Sequence, residues 1–162
     1  MRFAHDVHRV TFDRVEEYLG ELFDDPFHDP ATDHFYVRYG STVLEVGVEP
    51  YGPEDAVVSV MAYLAQDVDI DDALKTGLLA LNHELPIGHF SIVGRDVYFS
   101  HSFFGHGLDR ESLLGCLAGV ANLADDYDDK IVAQYGGATA LERIRSTGGR
   151  QRRRQETRLE ED

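Results

Sequence analysis

Four of the eight histidines in the chain fall within one short stretch, at positions 83, 89, 101 and 106. Aspartate-rich runs lie on either side of this stretch, DVDIDD before it and DDYDD after it. Imidazole and carboxylate side chains bind zinc and perform general acid–base catalysis. The stretch therefore raises the question of whether these residues form a metal or catalytic site.

The strand pattern around these histidines argues against a shared site. GHFSIV and DVYFSHS alternate in polarity and are joined by Gly94-Arg95, the Gly-X pair of a two-residue hairpin turn. In that register Phe90 opposes Phe99 on a core face, and His89 lies on the other face. His101 has the parity of Phe99 and points away from His89, so one metal ion cannot bind both without a bulge. The sequence predicts a hairpin here, without a bound metal or other cofactor.

The named catalytic and metal motifs also fail at specific positions. His83-Glu84 would need a histidine at position 87 to make a zinc-protease helix, and Ile87 stands there. The run DVDIDD opens with the spacing of a calcium loop, but Asp72 occupies its glycine position and Leu78 its final glutamate position. A metal-dependent enzyme is therefore the least favoured of the functional alternatives, and a non-enzymatic protein is expected.

Composition limits the class of protein. A chain of 162 residues with 43% hydrophobic content suits one domain. Its formal charge of −15 argues against nucleic acid or an anionic membrane as a partner. The start MRFAHDVHRVTFDRVEEY has no apolar run of signal-peptide length, and the single cysteine, Cys116, excludes an internal disulfide. A cytoplasmic location is the expectation.

The first half of the chain predicts a helix followed by three strands. Apolar residues from Phe12 to Phe23 recur at helical spacing, Thr11 can cap the start, and Pro26 ends the helix. Residues 26–33 are interpreted as a loop. The runs HFYVRY, TVLEVGV and AVVSVMAYLA then alternate as strands, with Gly40-Ser41 as a hairpin turn between the first two.

The second half predicts a helix, the hairpin described above, and a long helix. Residues 70–85 form the middle helix, with Asp69 as its cap and Pro86 as its stop. Asp109 caps the long helix, which continues to Gly136-Gly137. Strands in antiparallel runs, interrupted by helices, indicate an α+β domain with about five strands in a single antiparallel sheet and helices packed on it.

The C-terminal segment differs in composition from the rest. We place the α+β domain at residues 1–137, and predict a short helix (TALERIR) and a disordered charged tail within residues 138–162. From Ala138 onward there are 7 basic and 5 acidic residues, a net charge of +2, so residues 1–137 carry −17.

The stretches LLALNHELPIG, HFSIVGRDVYFSHSF and LDRESLLGCLAGVANLADDYDDKIVAQYGG together resemble the YbjN-like and type III secretion chaperone-like superfamily, which has the CesT, or Tir-chaperone, fold. The resemblance covers roughly residues 10–137, and the order α-β-β-β-α-β-β-α matches that fold. It implies a small cytoplasmic protein, usually a homodimer, that binds a peptide segment of a client without catalysis. Nothing in the sequence points to a secretion system or identifies the client.

A second sheet face, opposite the predicted core, supplies the candidate binding residues. Its aromatic and mixed side chains are Tyr36, Met61, Tyr63, His89 and Tyr98. Tyrosine and methionine offer adaptable contact area that suits peptide recognition. Three alternatives stay open: a helix or a dimer partner covers this face, a client strand adds to a sheet edge, or the chain is a structural or adaptor homodimer that binds no extended peptide.

Overall fold

The computed structural model describes residues 3–139 and 142. Helices are α1 (Asp6–Leu22), α2 (Asp72–Glu84) and α3 (Arg110–Tyr135), and a short 3-10 turn covers Gly105–Gly107. The strands are β1 (Phe27–Asp29), β2 (His34–Tyr39), β3 (Thr42–Tyr51), β4 (Asp55–Gln66), β5 (His89–Val93), β6 (Asp96–Phe104) and β7 (Ala138–Thr139). The sheet is antiparallel, in the order β1-β2-β3-β4-β6-β5, with β7 paired to β4.

The predicted α+β class with one antiparallel sheet is confirmed, but the strand count of about five is wrong. The described sheet has seven strands. The two strands that the sequence did not predict are β1 and β7, which have three and two residues. Segments this short cannot display an alternation of polarity, so their pairing is detectable only in the folded chain.

Strand β4 forms the centre of the core. Its residues Val58, Val60, Ala62 and Leu64 are completely buried, while the residues between them are partly exposed. The partner strands β3 and β6 lie on either side of β4 and contribute Leu44, Val46 and Phe99 to the same face. Helices α1 and α3 cover this face, which we call the core face.

Helix α1 begins earlier than the sequence predicted. Its N-cap is His5, and Thr11, expected to cap the helix, lies within it and donates its hydroxyl to Val7 O at 2.8 Å. His8 is buried on the same helix face and donates Nε2–H to Val48 O at 2.9 Å. His8 and Thr11 are polar but lie on the buried face, because each satisfies its polar atoms inside the fold. The apolar spacing therefore indicates the helix only from Phe12 onward.

Helices α2 and α3 follow the predicted pattern with one changed cap. Asp71, not Asp69, caps α2 by accepting from Leu74 N at 2.8 Å. Asp109 caps α3 as predicted, accepting from Ser112 N at 2.7 Å, and Gly136 ends the helix with a φ of 77°. Within the described residues, no helix combines the length and hydropathy needed to cross a bilayer.

The edge strand β5 is held to the rest of the fold from both sides. Its register with β6 is the predicted one, with Phe90 opposite Phe99. On its outer edge, Asn82 of α2 donates to Phe90 O at 3.1 Å and accepts from Phe90 N at 2.6 Å. The Asn82 amide thus bonds main-chain groups that a further strand would otherwise use.

The C-terminal part of the chain is described only in part. Ala138 and Thr139 pair with Gln66 and Ala65 of β4, and Glu142 accepts from Thr139 N at 2.8 Å. The rest of the predicted short helix and charged tail lies outside the described residues. The boundary at residue 137 and the character of the tail stay predictions.

We expect Phe99→Ala to lower the free energy of unfolding by about 3–5 kcal/mol, as truncation of a buried phenylalanine does. The ring is fully buried and meets the Phe90 ring at 5.1 Å, and Phe90 in turn contacts Tyr127 of α3. Urea unfolding measures the loss. Val10→Ala on α1 is the control, because Val10 is 43% exposed and its truncation should cost less than about 1 kcal/mol. A loss below about 1 kcal/mol for Phe99→Ala would contradict this core position.

Candidate functional site

The structure brings the five predicted binding residues to one face of the sheet, opposite the core face. We call it the open face. Tyr36, Met61 and His89 lie in one row that crosses the strands through Glu45 and Ser100. In the next row Tyr63 and Tyr98 are direct cross-strand partners. The alternation of side chains along each strand accounts for this convergence. Their role in binding stays a prediction.

The five residues differ in how much surface they offer. His89 is exposed, and Tyr36, Met61 and Tyr63 are half-buried. Tyr98 is only 8% exposed, and its ring meets the Tyr63 ring at 4.7 Å in an edge-on arrangement. The two tyrosines pack against each other on the open face, so Tyr98 mainly supports Tyr63.

Glu45 is the buried charged group at the centre of the open face. It is 8% exposed and accepts two hydrogen bonds, from His34 Nδ1–H at 2.6 Å and from the Tyr63 hydroxyl at 3.1 Å. A charged acceptor strengthens such bonds, and burial makes each one costly to lose. Glu45 alternates with Leu44 and Val46 in TVLEVGV, so its face was predictable from the sequence but its hydrogen bonds were not.

The electrostatics of the cluster follow from this carboxylate. The hydrogen bond to Glu45 raises the pKa of His34, and Glu49, 3.6 Å from His34 Nε2, adds to that effect. Burial, and then the charge of Glu45, raises the pKa of the Tyr63 phenol, and the same two causes raise that of Tyr36. Both phenols therefore stay protonated at neutral pH, and that of Tyr63 donates a hydrogen bond to Glu45, which fixes the orientation of the Tyr63 ring.

His83, His89, His101 and His106 do not converge, and three of them have separate local partners. The side chain of His89 lies 3.3 Å from Ser100 Oγ, and His101 Nδ1 accepts from Gly88 N at 3.1 Å. His106 pairs with Asp55, and His83 lies exposed in the last turn of α2. Across residues 3–139 and 142, no three His, Cys, Asp or Glu side chains are grouped so as to hold a metal ion.

Two exposed aromatic residues on the same face were missed by the sequence analysis. Strand β3 continues past the predicted TVLEVGV to Tyr51, which is 59% exposed, and β6 ends at Phe104, which is 46% exposed. Tyr51 has the strand parity of Glu45, and Phe104 that of Tyr98. This parity is the sequence signal that could have placed both residues on the open face. For Tyr51 the signal is obscured by Pro50, because proline argues against a strand at that position.

Comparison with known proteins finds a matching family and a similar solved structure. A family described as TY-Chap1, T3SS (YopN, CesT) and YbjN peptide-binding chaperone 1, matches residues 11–143. The crystal structure of the ExsC–ExsE complex matches with a TM-score of 0.62 at 12% identity, over 78% of this chain and 96% of that chain. At this identity the likeness concerns the fold alone. No curated protein matches the chain.

We expect the imidazole of His34 to titrate with a midpoint above its ordinary value of 6.5, because the folded state favours its charged form beside Glu45. NMR titration of the ring protons measures the midpoint. Glu45→Gln should lower it, and Glu49→Gln is the matched control with a smaller effect, since Glu49 is 65% exposed and 3.6 Å away.

The same shift has a consequence for stability. A raised histidine pKa contributes stability that is fully present below the unfolded-state value and is lost as pH rises through the folded-state value. The difference in unfolding free energy between wild type and Glu45→Gln should therefore shrink as pH rises through the His34 midpoint. An unchanged His34 midpoint in Glu45→Gln would contradict the assigned hydrogen bond.

Proposed function

Because the chain belongs to the family of T3SS and YbjN peptide-binding chaperones, we propose that it binds a segment of a client protein on the open face of its sheet, without catalysis. The predicted residues Tyr36, Met61, Tyr63, His89 and Tyr98 form the central part of this binding surface. The structure that the fold resembles is that of a complex, ExsC with ExsE, which supports a polypeptide as the client.

The observation that carries the proposal is the one-sided core. In the described part of the chain, α1 and α3 pack on the core face, and the alternate residues of β4 on the other face stay partly exposed. That face presents a thioether and phenol rings held in place by Glu45. An exposed surface of aromatic and thioether side chains is more than solubility requires, and it usually marks an interaction site.

The open face is a better candidate than the β5 edge for client contact. Addition of a client strand needs unpaired N–H and C=O groups along an edge. The Asn82 side chain already bonds both main-chain groups of Phe90. A client strand at β5 would have to displace these bonds, whereas a client on the open face meets side chains that are already exposed.

Net charge favours clients that are basic or neutral. Residues 1–137 carry −17. Long-range attraction speeds the encounter with a basic segment and is screened as salt increases. We therefore place acidic segments outside the client range, and we expect binding to weaken at high ionic strength.

We propose further that the chain forms a homodimer, as its family resemblance implies. Exposed apolar side chains near the β5 side of the sheet, Leu79 on α2 and Val93 on β5, support such an interface. Sedimentation velocity that found only the monomer mass at micromolar concentrations would exclude the dimer. A structural or adaptor homodimer without client binding is the alternative, and the peptide experiment below separates the two.

We expect Met61→Arg to reduce peptide capture at least about tenfold while leaving the fold intact. Met61 lies half-buried beside Glu45 in the central row, so an arginine there adds a charge that repels basic segments. The measurement is binding of the purified protein to an array of random synthetic peptides. Leu114→Arg is the matched control, because Leu114 is 39% exposed on α3, away from the sheet face.

Thermal melts of both variants establish that they are folded. If Met61→Arg and Leu114→Arg retain the same peptides at wild-type strength, the client does not use the centre of the open face. If the wild type captures no peptide on the array, the peptide-binding function itself is wrong and the adaptor alternative stands. Stoichiometric zinc in untagged protein would instead favour an enzyme.

A further inference from the structure

We propose that the client-binding surface extends to the aromatic corner formed by Tyr51, Phe104 and His106, and that this corner binds a client segment in which a basic side chain stands next to an apolar one. The inference rests on the proposed function and identifies where that function meets cationic client residues. None of these three residues belongs to the predicted binding set.

The aromatic corner is a contiguous exposed surface. The rings of Tyr51 and Phe104 meet edge-on with centroids 5.2 Å apart, and His106 stacks on Phe104 at 5.5 Å with an interplanar angle of 14°. Tyr51 is 59% exposed, Phe104 46%, and the His106 side chain 73%. Two apolar rings that touch each other and still face water form an interaction surface, whereas scattered single exposures need no explanation.

The corner is positioned in advance by hydrogen bonds and close packing. Asp55, the cross-strand partner of Tyr51, accepts from the His106 main-chain N–H at 3.1 Å and from its Nδ1–H. The bond from His106 lowers the pKa of Asp55, so this carboxylate stays charged. Below the turn, Gly105 is buried so tightly that a Cβ would come within 3.0 Å of Thr11 on α1. A surface held this firmly loses little conformational entropy when a ligand binds.

The charge around the corner selects the client chemistry. Neither residues 42–66, which span β3 and β4, nor residues 96–107, which span β6 and its turn, contain a lysine or arginine. Carboxylates are present beside the rings: Glu49 in the row of Phe104, Glu54 in the β3–β4 turn, and Asp55 under His106. Aromatic faces attract cations, and carboxylates attract them further. The partner that fits is an arginine or lysine side chain with an apolar neighbour that covers the rings.

The corner is continuous with the centre of the open face. Along β4 the open-face residues run from Met61 through Ser59 and Val57 to Asp55, and along β6 from Ser100 through Ser102 to Phe104. Rows on one strand face are about 6.7 Å apart, so Met61 and Phe104 lie two rows, roughly 13 Å, apart. An extended segment of five or six residues spans this distance, so one client segment can contact both places.

Fluorescence anisotropy with defined peptides tests the proposal. The probe is a labelled synthetic peptide of about 12 residues that alternates leucine and arginine, compared with one that alternates leucine and glutamate and one that alternates serine and arginine. We expect the wild type to bind the leucine–arginine peptide at least about tenfold more tightly than either of the others, at physiological ionic strength. Equal binding of the serine–arginine peptide would mean that charge alone drives association and would overturn the role of the rings.

Variants with unchanged charge then locate the site. Tyr51→Ser with Phe104→Ser should weaken binding of the leucine–arginine peptide about tenfold or more, and Tyr51→Phe should retain it. The control is Leu114→Ser, which removes an exposed apolar side chain from α3, outside the open face and the proposed dimer contact. Tyr51→Ser alone, at an exposed strand end, carries the test if the double variant melts at a lower temperature than wild type.

The possible failures are distinguishable. If the variant with Tyr51→Ser and Phe104→Ser binds the leucine–arginine peptide as tightly as wild type does, the aromatic corner is not a client site. Capture on the random array can still depend on Met61 in that case. If the double variant changes only the sedimenting mass, the corner is a contact between copies of the chain, which also overturns the proposal. Loss on the random array for Met61→Arg, together with no effect of the corner variants, leaves the proposed function standing without this extension.

Discussion

Strand β4 imposes the constraint on which the rest of the structure depends. It hydrogen-bonds β3 on one side and β6 on the other, and its side chains at positions 58, 60, 62 and 64 have no exposed surface. Those side chains are removed from water only if helices cover that face along its length, which α1 and α3 do. Burial of apolar surface is the dominant favourable contribution to folding, so the core face determines where both helices lie.

Within residues 3–139 and 142 the helices cover one side of the sheet, and the composition of the second face is less constrained by stability. On the open face the strands bear half-buried tyrosines, serines and Glu45, a mixture that hydrogen-bonds within itself while staying in contact with solvent. The His34–Glu45–Tyr63 cluster orients the central rings, and the Asp55–His106 pair orients the aromatic corner. In both places a carboxylate holds an aromatic side chain in position, which suits a surface that has to recognise a partner without rearranging.

The fold was predictable wherever a local pattern coincided with a tertiary requirement. The register of β5 and β6 followed from Gly94 and the parity of Phe90 and Phe99, because a two-residue turn leaves one pairing that buries both rings. The start of α1 was not predictable in this way, because His8 and Thr11 occupy buried positions through hydrogen bonds to Val48 and Val7. The short strands β1 and β7 depend on the strands they pair with and have no pattern of their own.

For the candidate site, the sequence determines which side chains share a face, and the tertiary structure determines how exposed each of them is. Sequence alternation alone determined that Tyr36, Met61, Tyr63, His89 and Tyr98 share one face, because neighbouring side chains of a strand point to opposite sides. The tertiary structure decided how much of each is exposed. Tyr98 is covered by Tyr63 from another strand, whereas Tyr51 and Phe104 stand exposed at strand ends. Exposure depends on neighbours from distant parts of the chain, and only folding brings those neighbours together.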